Sequence, residues 1–322
     1  MTIESSAFEP GYGRVVRLDF AERIRGTTSI CVGRRDGRVR IEAGNDRAWE
    51  FDAAGRLIVA QEESMSLHAT FDGRVWGHRV VGEGTARRLV DAQGPEDPFA
   101  WISRIHARLA RWAATPSTAS WERGSGEKPG AFAASALALP AARSAGVLET
   151  EFTRAREIWE RVPVLPPDQY EALVVQISEG CPWDRCHFCT LYRETPFRDR
   201  PLDEIERHLD EALVFLGASA SRVRRVFLGQ ANALLRPTDE LLQIFELIRR
   251  RISVPDPGMP PREQRMWLAA HLPSADGFYA FVDAFHKPRP VAEWRALADA
   301  GLRRVYIGLE SGDGERLREL GK

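Results

Sequence analysis

The sequence has no surplus of either charge: 45 Lys and Arg stand against 46 Asp and Glu, for a net charge of −1. Nothing in that balance calls for a polyanionic partner, so nucleic acid is not indicated, and the arginines at 224–225 and 249–251 read as solvated faces. Long apolar runs are missing too. No stretch approaches the ~18 residues that a membrane-spanning helix requires. The opening residues, MTIESSAFEP, have neither a basic start nor an apolar core, and the expectation is a cytoplasmic protein. Cysteine is scarce, with four in 322 residues, which excludes a disulfide framework. What remains is an ordinary globular composition, 43% hydrophobic and 28% charged, in a chain long enough for two domains.

Three of those four cysteines, Cys181, Cys186 and Cys189, fall within nine residues. They sit in VVQISEGCPWDRCHFCTLYRETPFR, Val174 to Arg198, directly after a run, Ala172 to Ile177, that reads as a buried strand. A loop at the carboxyl end of a strand aims several side chains at one point, and thiolates bind soft metals and iron–sulfur clusters. The Cys-x4-Cys-x2-Cys spacing leaves several readings open. A disulfide is disfavoured by the odd count and the tight spacing. A structural zinc site needs four ligands, so His187 or a distant group would have to complete it. A three-thiolate iron–sulfur cluster with one iron open needs no fourth ligand. Buried, inert cysteines are the plain alternative, and that is the reading for Cys31, alone in a strand.

Residues 1–115 read as a small antiparallel β-meander with a capping helix. Ser29–Val32, Arg38–Glu42, Ala48–Phe51, Leu57–Ala60, Ser66–Phe71 and Val75–Val81 alternate apolar with polar residues, and Asp36-Gly37 and Asp72-Gly73 mark tight turns. Pro98 opens an amphipathic helix through Trp101, Ile105, Leu109 and Trp112. His68 and His78 lie in neighbouring strands and read as half-exposed strand residues. The Ser, Ala, Gly and Pro of residues 116–150 show little periodicity and read as a linker. A helix from Glu151 to Arg161 follows.

From about residue 170 strand and helix alternate, which implies βαβ units and a parallel sheet. The strands are Ala172–Ile177, Val223–Leu228, Met266–Ala270 and Arg304–Leu309; the helices are Leu202–Leu216, Thr238–Ile252, and segments around Tyr279–Phe285 and Val291–Ala300. In folds of this kind chemistry gathers at the carboxyl ends of the strands. Those ends hold the cysteines, Gly229-Gln230-Ala231-Asn232, His271, and Glu310-Ser311-Gly312. On this reading His271 is a candidate substrate contact. Arg193 and Arg198 either order the cysteine loop or meet an anionic substrate, and Glu310 is open to a plain role capping the next helix.

The strand, EGCPWDRCHFC, the following Tyr-Arg and Phe-Arg, and the later GLRRVYIGLESG together resemble the radical S-adenosylmethionine (radical SAM) superfamily over residues 150–322. The resemblance implies an α/β fold, a partial (β/α) barrel of parallel strands with about four of six units present, behind the mainly antiparallel β domain. It also implies a [4Fe-4S] cluster on Cys181, Cys186 and Cys189, with S-adenosylmethionine (SAM) chelated to the open iron. Phe188 would lie against the adenine, the Gly229 backbone would receive the SAM amino group, and Glu310 or Ser311 would contact the ribose or methionine end. A reductive release of a 5′-deoxyadenosyl radical, an external electron donor and a substrate not identified by the sequence come with it. Here four residues separate the first two cysteines, where the commonest family spacing has three, and Gln230-Ala231-Asn232 replaces an acidic residue. The expected missing strands imply a C-terminally truncated core at 151–322, with a partner or self-association at its open edge. The reading from a different class is a non-catalytic protein in which the cysteines hold zinc or a structural cluster and the N-terminal β domain binds a partner.

Overall fold

The computed structural model describes residues 12–24, 27–44, 46–62, 65–81, 88–92, 94–283 and 288–322. The chain divides into two units, Met1–Ala155 and Arg156–Lys322.

The first unit is built on one antiparallel sheet. Its strands are β1 (Arg14–Ile24), β2 (Thr27–Arg35), β3 (Arg38–Glu42), β4 (Arg47–Phe51), β5 (Leu57–Glu62), β6 (Met65–Ala69), β7 (Val75–Val81) and β8 (Arg88–Ala92). After α1 (Pro98–Ala114) the chain returns as β9 (Ser117–Arg123), then forms α2 (Pro129–Ala141) and α3 (Ala145–Ile158). The strand order is β8-β7-β6-β5-β4-β3-β2-β1-β9, a meander closed on its first strand by a late arrival. Alternation puts Val16, Leu18, Val32, Ile41, Trp49, Phe51 and Leu67 on one face, where they pack with Trp101, Ile105, Leu109 and Trp112 of α1 and with Phe132 and Leu137 of α2. Asp97 caps α1 by accepting from the Ala100 amide at 2.9 Å, with Pro98 in its first turn. The β2–β3 turn is the tight one expected: Asp36 and Gly37 both have positive φ, 49° and 79°.

Residues 116–150 are not a linker. β9 pairs antiparallel with β1, Ala119 opposite Leu18. α2 escapes a periodicity search because it has almost no polar face: Ala133 and Ala136 are buried among apolar neighbours. Its small side chains let the helix lie close to the sheet. β1 and β8 were also absent from the expected strands. Among the described residues no single helix is long and apolar enough to cross a membrane.

The second unit holds β10 (Leu173–Gln176), β11 (Ser178–Glu179), β12 (Arg198–Asp199), α4 (Leu202–Leu216), β13 (Val226–Gly229), α5 (Thr238–Arg249), α6 (Pro261–Ala270), β14 (Phe278–Asp283), α7 (Val291–Asp299), β15 (Leu302–Gly308) and α8 (Gly314–Glu319). β10, β13, β14 and β15 form a parallel sheet in that order. The expected third strand, Met266–Ala270, is helix α6, and the expected helix around Tyr279 is strand β14. Pro260-Pro261 supplies a helix start, Met-Trp-Leu-Ala-Ala lacks β-branched residues, and FYAFVD carries four aromatic or β-branched residues in its first five. Phe278 stacks on Phe245 of α5, so the face of Phe278, Ala280, Val305 and Ile307 is the helix side. Val174, Phe227, Tyr279, Phe281 and Tyr306 cluster on the opposite face.

β10 lies at one edge, yet two of its outward groups are met. The Trp159 indole donates to the Val174 carbonyl at 2.9 Å, and the Gln176 amide donates to Nε2 of the buried His208 at 3.1 Å. His208 Nδ1 in turn donates to the Ile158 carbonyl at 2.9 Å. A side-chain cover of this kind blunts an edge that would otherwise template pairing. β15, at the other edge, is paired among the described residues with β14 alone.

Candidate functional site

Residues 180–197 leave the sheet just past the carboxyl end of β10 as an irregular loop, and β11 and β12 pair antiparallel to form its neck. Charge ties the neck shut. Arg198 binds both Glu179 oxygens at 2.7 and 2.6 Å and Glu204 at 2.8 Å, while Arg200 reaches Glu179 at 2.9 Å. Burial works against the Glu179 carboxylate, but the two guanidiniums outweigh it and hold its pKa below the usual range. The buried Arg236 adds bonds of 2.8 Å each to the carbonyls of Ile177 and Arg200. Gly180 has φ +66°, and a Cβ there would stand 2.4 Å from the Thr195 carbonyl oxygen, so only glycine lets the neck close.

Cys181, Cys186 and Cys189 are free thiols, each half-buried, in this one loop. Burial raises the Cys186 pKa, against the Lys322 ammonium, which lowers it. Tyr192 lies buried beside Cys181 and Cys189, and burial raises its phenol well above the ordinary value, which keeps it neutral under the loop. Arg193 donates to the Cys189 carbonyl at 3.1 Å and the Cys186 carbonyl at 2.9 Å, clamping the turn between the two cysteines. Arg193 and Arg198 thus order the loop. Among the described residues no group of three His, Cys, Asp or Glu side chains is arranged to hold a metal ion as placed. The three cysteines share one irregular loop outside the sheet, and an all-thiol donor set suits an iron–sulfur cluster or zinc.

The other expected contacts have definite places. Phe188, between the second and third cysteines, is 53% exposed and so presents its ring to solvent. At Gly229 a Cβ would stand 3.1 Å from Val174 Cγ1, which is tight. The next side chain, the buried Gln230, accepts from the Gly180 amide and donates to the Arg161 carbonyl, both at 3.2 Å, so the glycine turn and the cysteine loop share a brace. Glu310 has φ +55° just past β15 and pairs with Lys322. It does not cap the next helix; Asp313 does, accepting from the Glu315 amide at 2.8 Å. Ser311 Oγ accepts from the Asp313 amide at 3.1 Å.

His271 is not at a strand end. It caps the carboxyl end of α6, exposed, with its ring stacked on Trp267 at 4.2 Å and Nδ1 donating to the Trp267 carbonyl. The misread third strand is the cause. His187, considered as a fourth metal ligand, instead donates Nδ1 to the Glu319 carbonyl at 2.8 Å. Cys31 lies in β2 of the other unit, and burial above all raises its thiol to about 11, as suits an inert cysteine. In that unit the rings of His68 and Trp76 stack at 4.3 Å, with His78 at 5.3 Å from His68.

Lys322 and Trp183 carried no signal in the sequence. The Lys322 ammonium contacts Glu310, the Gly308 carbonyl at 3.2 Å and the Phe188 ring at 5.9 Å, and the Trp183 indole donates to the Gly321 carbonyl at 2.7 Å.

Residues 175–322 match the model of the Radical SAM superfamily. Among solved structures, a cobalamin-dependent S-adenosylmethionine radical enzyme, OxsB, with aqua-cobalamin and S-adenosylmethionine bound, is similar over 48% of this chain at 17% identity and a TM-score of 0.33. The match spans 20% of that protein's chain. No curated protein matches.

Proposed function

We infer that residues 175–322, which belong to the radical SAM superfamily, hold a [4Fe-4S] cluster on Cys181, Cys186 and Cys189 and bind SAM beside it. The observation that carries this reading is the cysteine loop: three free, half-buried thiols in a necked loop at the carboxyl end of β10, on a parallel sheet. We read that sheet as the first part of a (β/α) barrel. When bound and reduced by an external electron donor, the cluster would supply one electron to the SAM sulfonium, whose C5′–S bond would break to give methionine and a 5′-deoxyadenosyl radical.

The chain's own residues divide the remaining work. The neck of Glu179, Arg198 and Arg200 keeps the loop over the strand ends, and Arg193 sets the Cys186–Cys189 turn. The exposed Phe188 ring offers a stacking face to the adenine. The turn at Gly229 brings backbone within reach of the SAM amino group, and Glu310 supplies a carboxylate to the ribose or the methionine end. Ser311, whose hydroxyl accepts from the Asp313 amide, keeps its donor hydrogen for the same ligand.

Anaerobic reconstitution with iron and sulfide tests the reading. Visible absorption with about four irons and four sulfides per chain, lost in each of the three Cys→Ala variants and kept in Cys31→Ala, is the expected result. Tight zinc binding without sulfide uptake would replace it with a structural metal site. Absence of SAM binding to the loaded chain at millimolar ligand would remove the enzymatic part.

A further inference from the structure

Lys322 is an unusual occupant of this site. Its side chain is only 6% exposed, although it ends in an ammonium. The contacts of that ammonium include groups of three kinds: the Glu310 carboxylate, the Gly308 carbonyl oxygen and the Phe188 ring. Each attracts a cation for its own reason, by charge, by dipole or by ring quadrupole. Two of the three, Phe188 and Glu310, are the side chains assigned above to SAM.

We propose that the Gly308 carbonyl and Glu310 form a cation subsite, that Lys322 fills it beside the Phe188 ring in the ligand-free protein, and that SAM binds by displacing Lys322, its cationic part going to Glu310 and its adenine to Phe188. The proposal rests on the SAM-binding reading of this site. SAM carries a sulfonium and an ammonium against one carboxylate, so it arrives with net positive charge. A second cation held among the same few groups, largely shielded from water, would repel it strongly. One must leave. Lys322 follows a glycine pressed against the cysteine loop: Gly321 has φ +77° and a Cβ there would stand 2.5 Å from the Arg185 carbonyl oxygen. The Gly321 carbonyl receives the Trp183 indole, and the Leu320 carbonyl receives the His187 amide at 2.9 Å. The segment 319–322 therefore closes on the cysteine loop through hydrogen bonds to backbone carbonyls, contacts that open without disturbing a packed core. Withdrawal of Lys322 pulls on Trp183 and His187, and entry of SAM is coupled to release of this clasp.

The test uses the cluster-loaded chain without oxygen. Calorimetry compares SAM with S-adenosylhomocysteine, which lacks the sulfonium charge, on the native protein, Lys322→Met and Lys322→Arg. Lys322→Met should tighten SAM binding by about tenfold, a factor equal to about 1.4 kcal/mol, with a smaller gain for S-adenosylhomocysteine. Lys322→Arg should restore native affinity. Hydrogen exchange on the native protein gives a reading independent of any variant's folding: SAM should speed exchange in residues 319–322 and at the Trp183 indole. Weaker or unchanged SAM binding in Lys322→Met, or 319–322 more protected with SAM, would overturn the proposal while leaving SAM binding in place. No SAM binding by the native loaded chain would overturn both readings.

Discussion

Acidification should loosen β10, the strand that carries the cysteine loop, and His208 should be the cause. Its imidazole is 4% exposed, and both nitrogens are engaged, Nδ1 with the Ile158 carbonyl and Nε2 with the Gln176 amide. Nε2 accepts, so a proton there removes a hydrogen bond and buries a charge. Burial first, and the charge of Arg200 second, lower the pKa from 6.5 to about 4. Between those values the unfolded chain binds the proton and the folded chain does not, so stability falls as pH drops through 6.5 and the loss levels off below 4. At about 1.36 kcal/mol per pH unit, the full loss is about 3 kcal/mol, and about 2 kcal/mol of it is reached at pH 5. Hydrogen exchange of the β10 amides at pH 7 and pH 5, corrected for intrinsic rates, reads this directly. A local probe is needed because His106, in the other unit, is also buried with its pKa lowered to about 4. His208→Gln keeps a neutral polar side chain and should cost about 1–2 kcal/mol at pH 7 while abolishing most of the pH dependence. The reasoning fails if the variant's β10 loses as much protection on acidification as the native strand does.

Three further outcomes are expected. Gly180→Ala forces a side chain at positive φ against the Thr195 carbonyl, so the neck should open, with faster exchange at Glu179 and Arg198 and a loss above about 2 kcal/mol; an unchanged melting curve would contradict this. Arg193→Gln removes two charge-assisted bonds to the cysteine carbonyls, worth about 1 kcal/mol at an exposed site, and should speed iron loss to a chelator several-fold, whereas equal rates would assign Arg193 to the surface. With β15 at an edge and Ile307 and Leu309 each 60% exposed, the isolated chain should self-associate with concentration in sedimentation, and Ile307→Lys should suppress it; a monomer at every concentration would refute the proposal.

Much of the first sheet is legible because its strands alternate cleanly between tight turns. β1 is harder, since Arg17, Asp19 and Arg23 break its apolar run. α2 is invisible to pattern for the opposite reason, having almost nothing polar to set against its apolar residues. The exchange of α6 and β14 comes from two short apolar segments, neither long enough for its period to be decisive. The misplacement of His271 follows from that one exchange. The cysteine loop is legible because ligand spacing is local. Lys322 is not, because the turn after α8 brings it back across more than 130 residues to Phe188, and nothing local in the sequence encodes that return. Arg193 and Arg198 were visible as candidates, but only partners could decide between ordering a loop and meeting a ligand.

The neck of β11 and β12 has a consequence for how this loop can drift. A loop fastened at both ends is insulated from the sheet: a residue gained or lost between Cys181 and Cys186 is absorbed inside the ring and does not shift β10 against β13. The entropy of closing such a ring grows slowly, by about 0.6 kcal/mol for each doubling of length, so insertions there are close to neutral. Substitutions at Glu179, Gly180 or Arg198 are not. Variation among descendants of this chain should therefore collect between the first two cysteines, and the fastening should stay still.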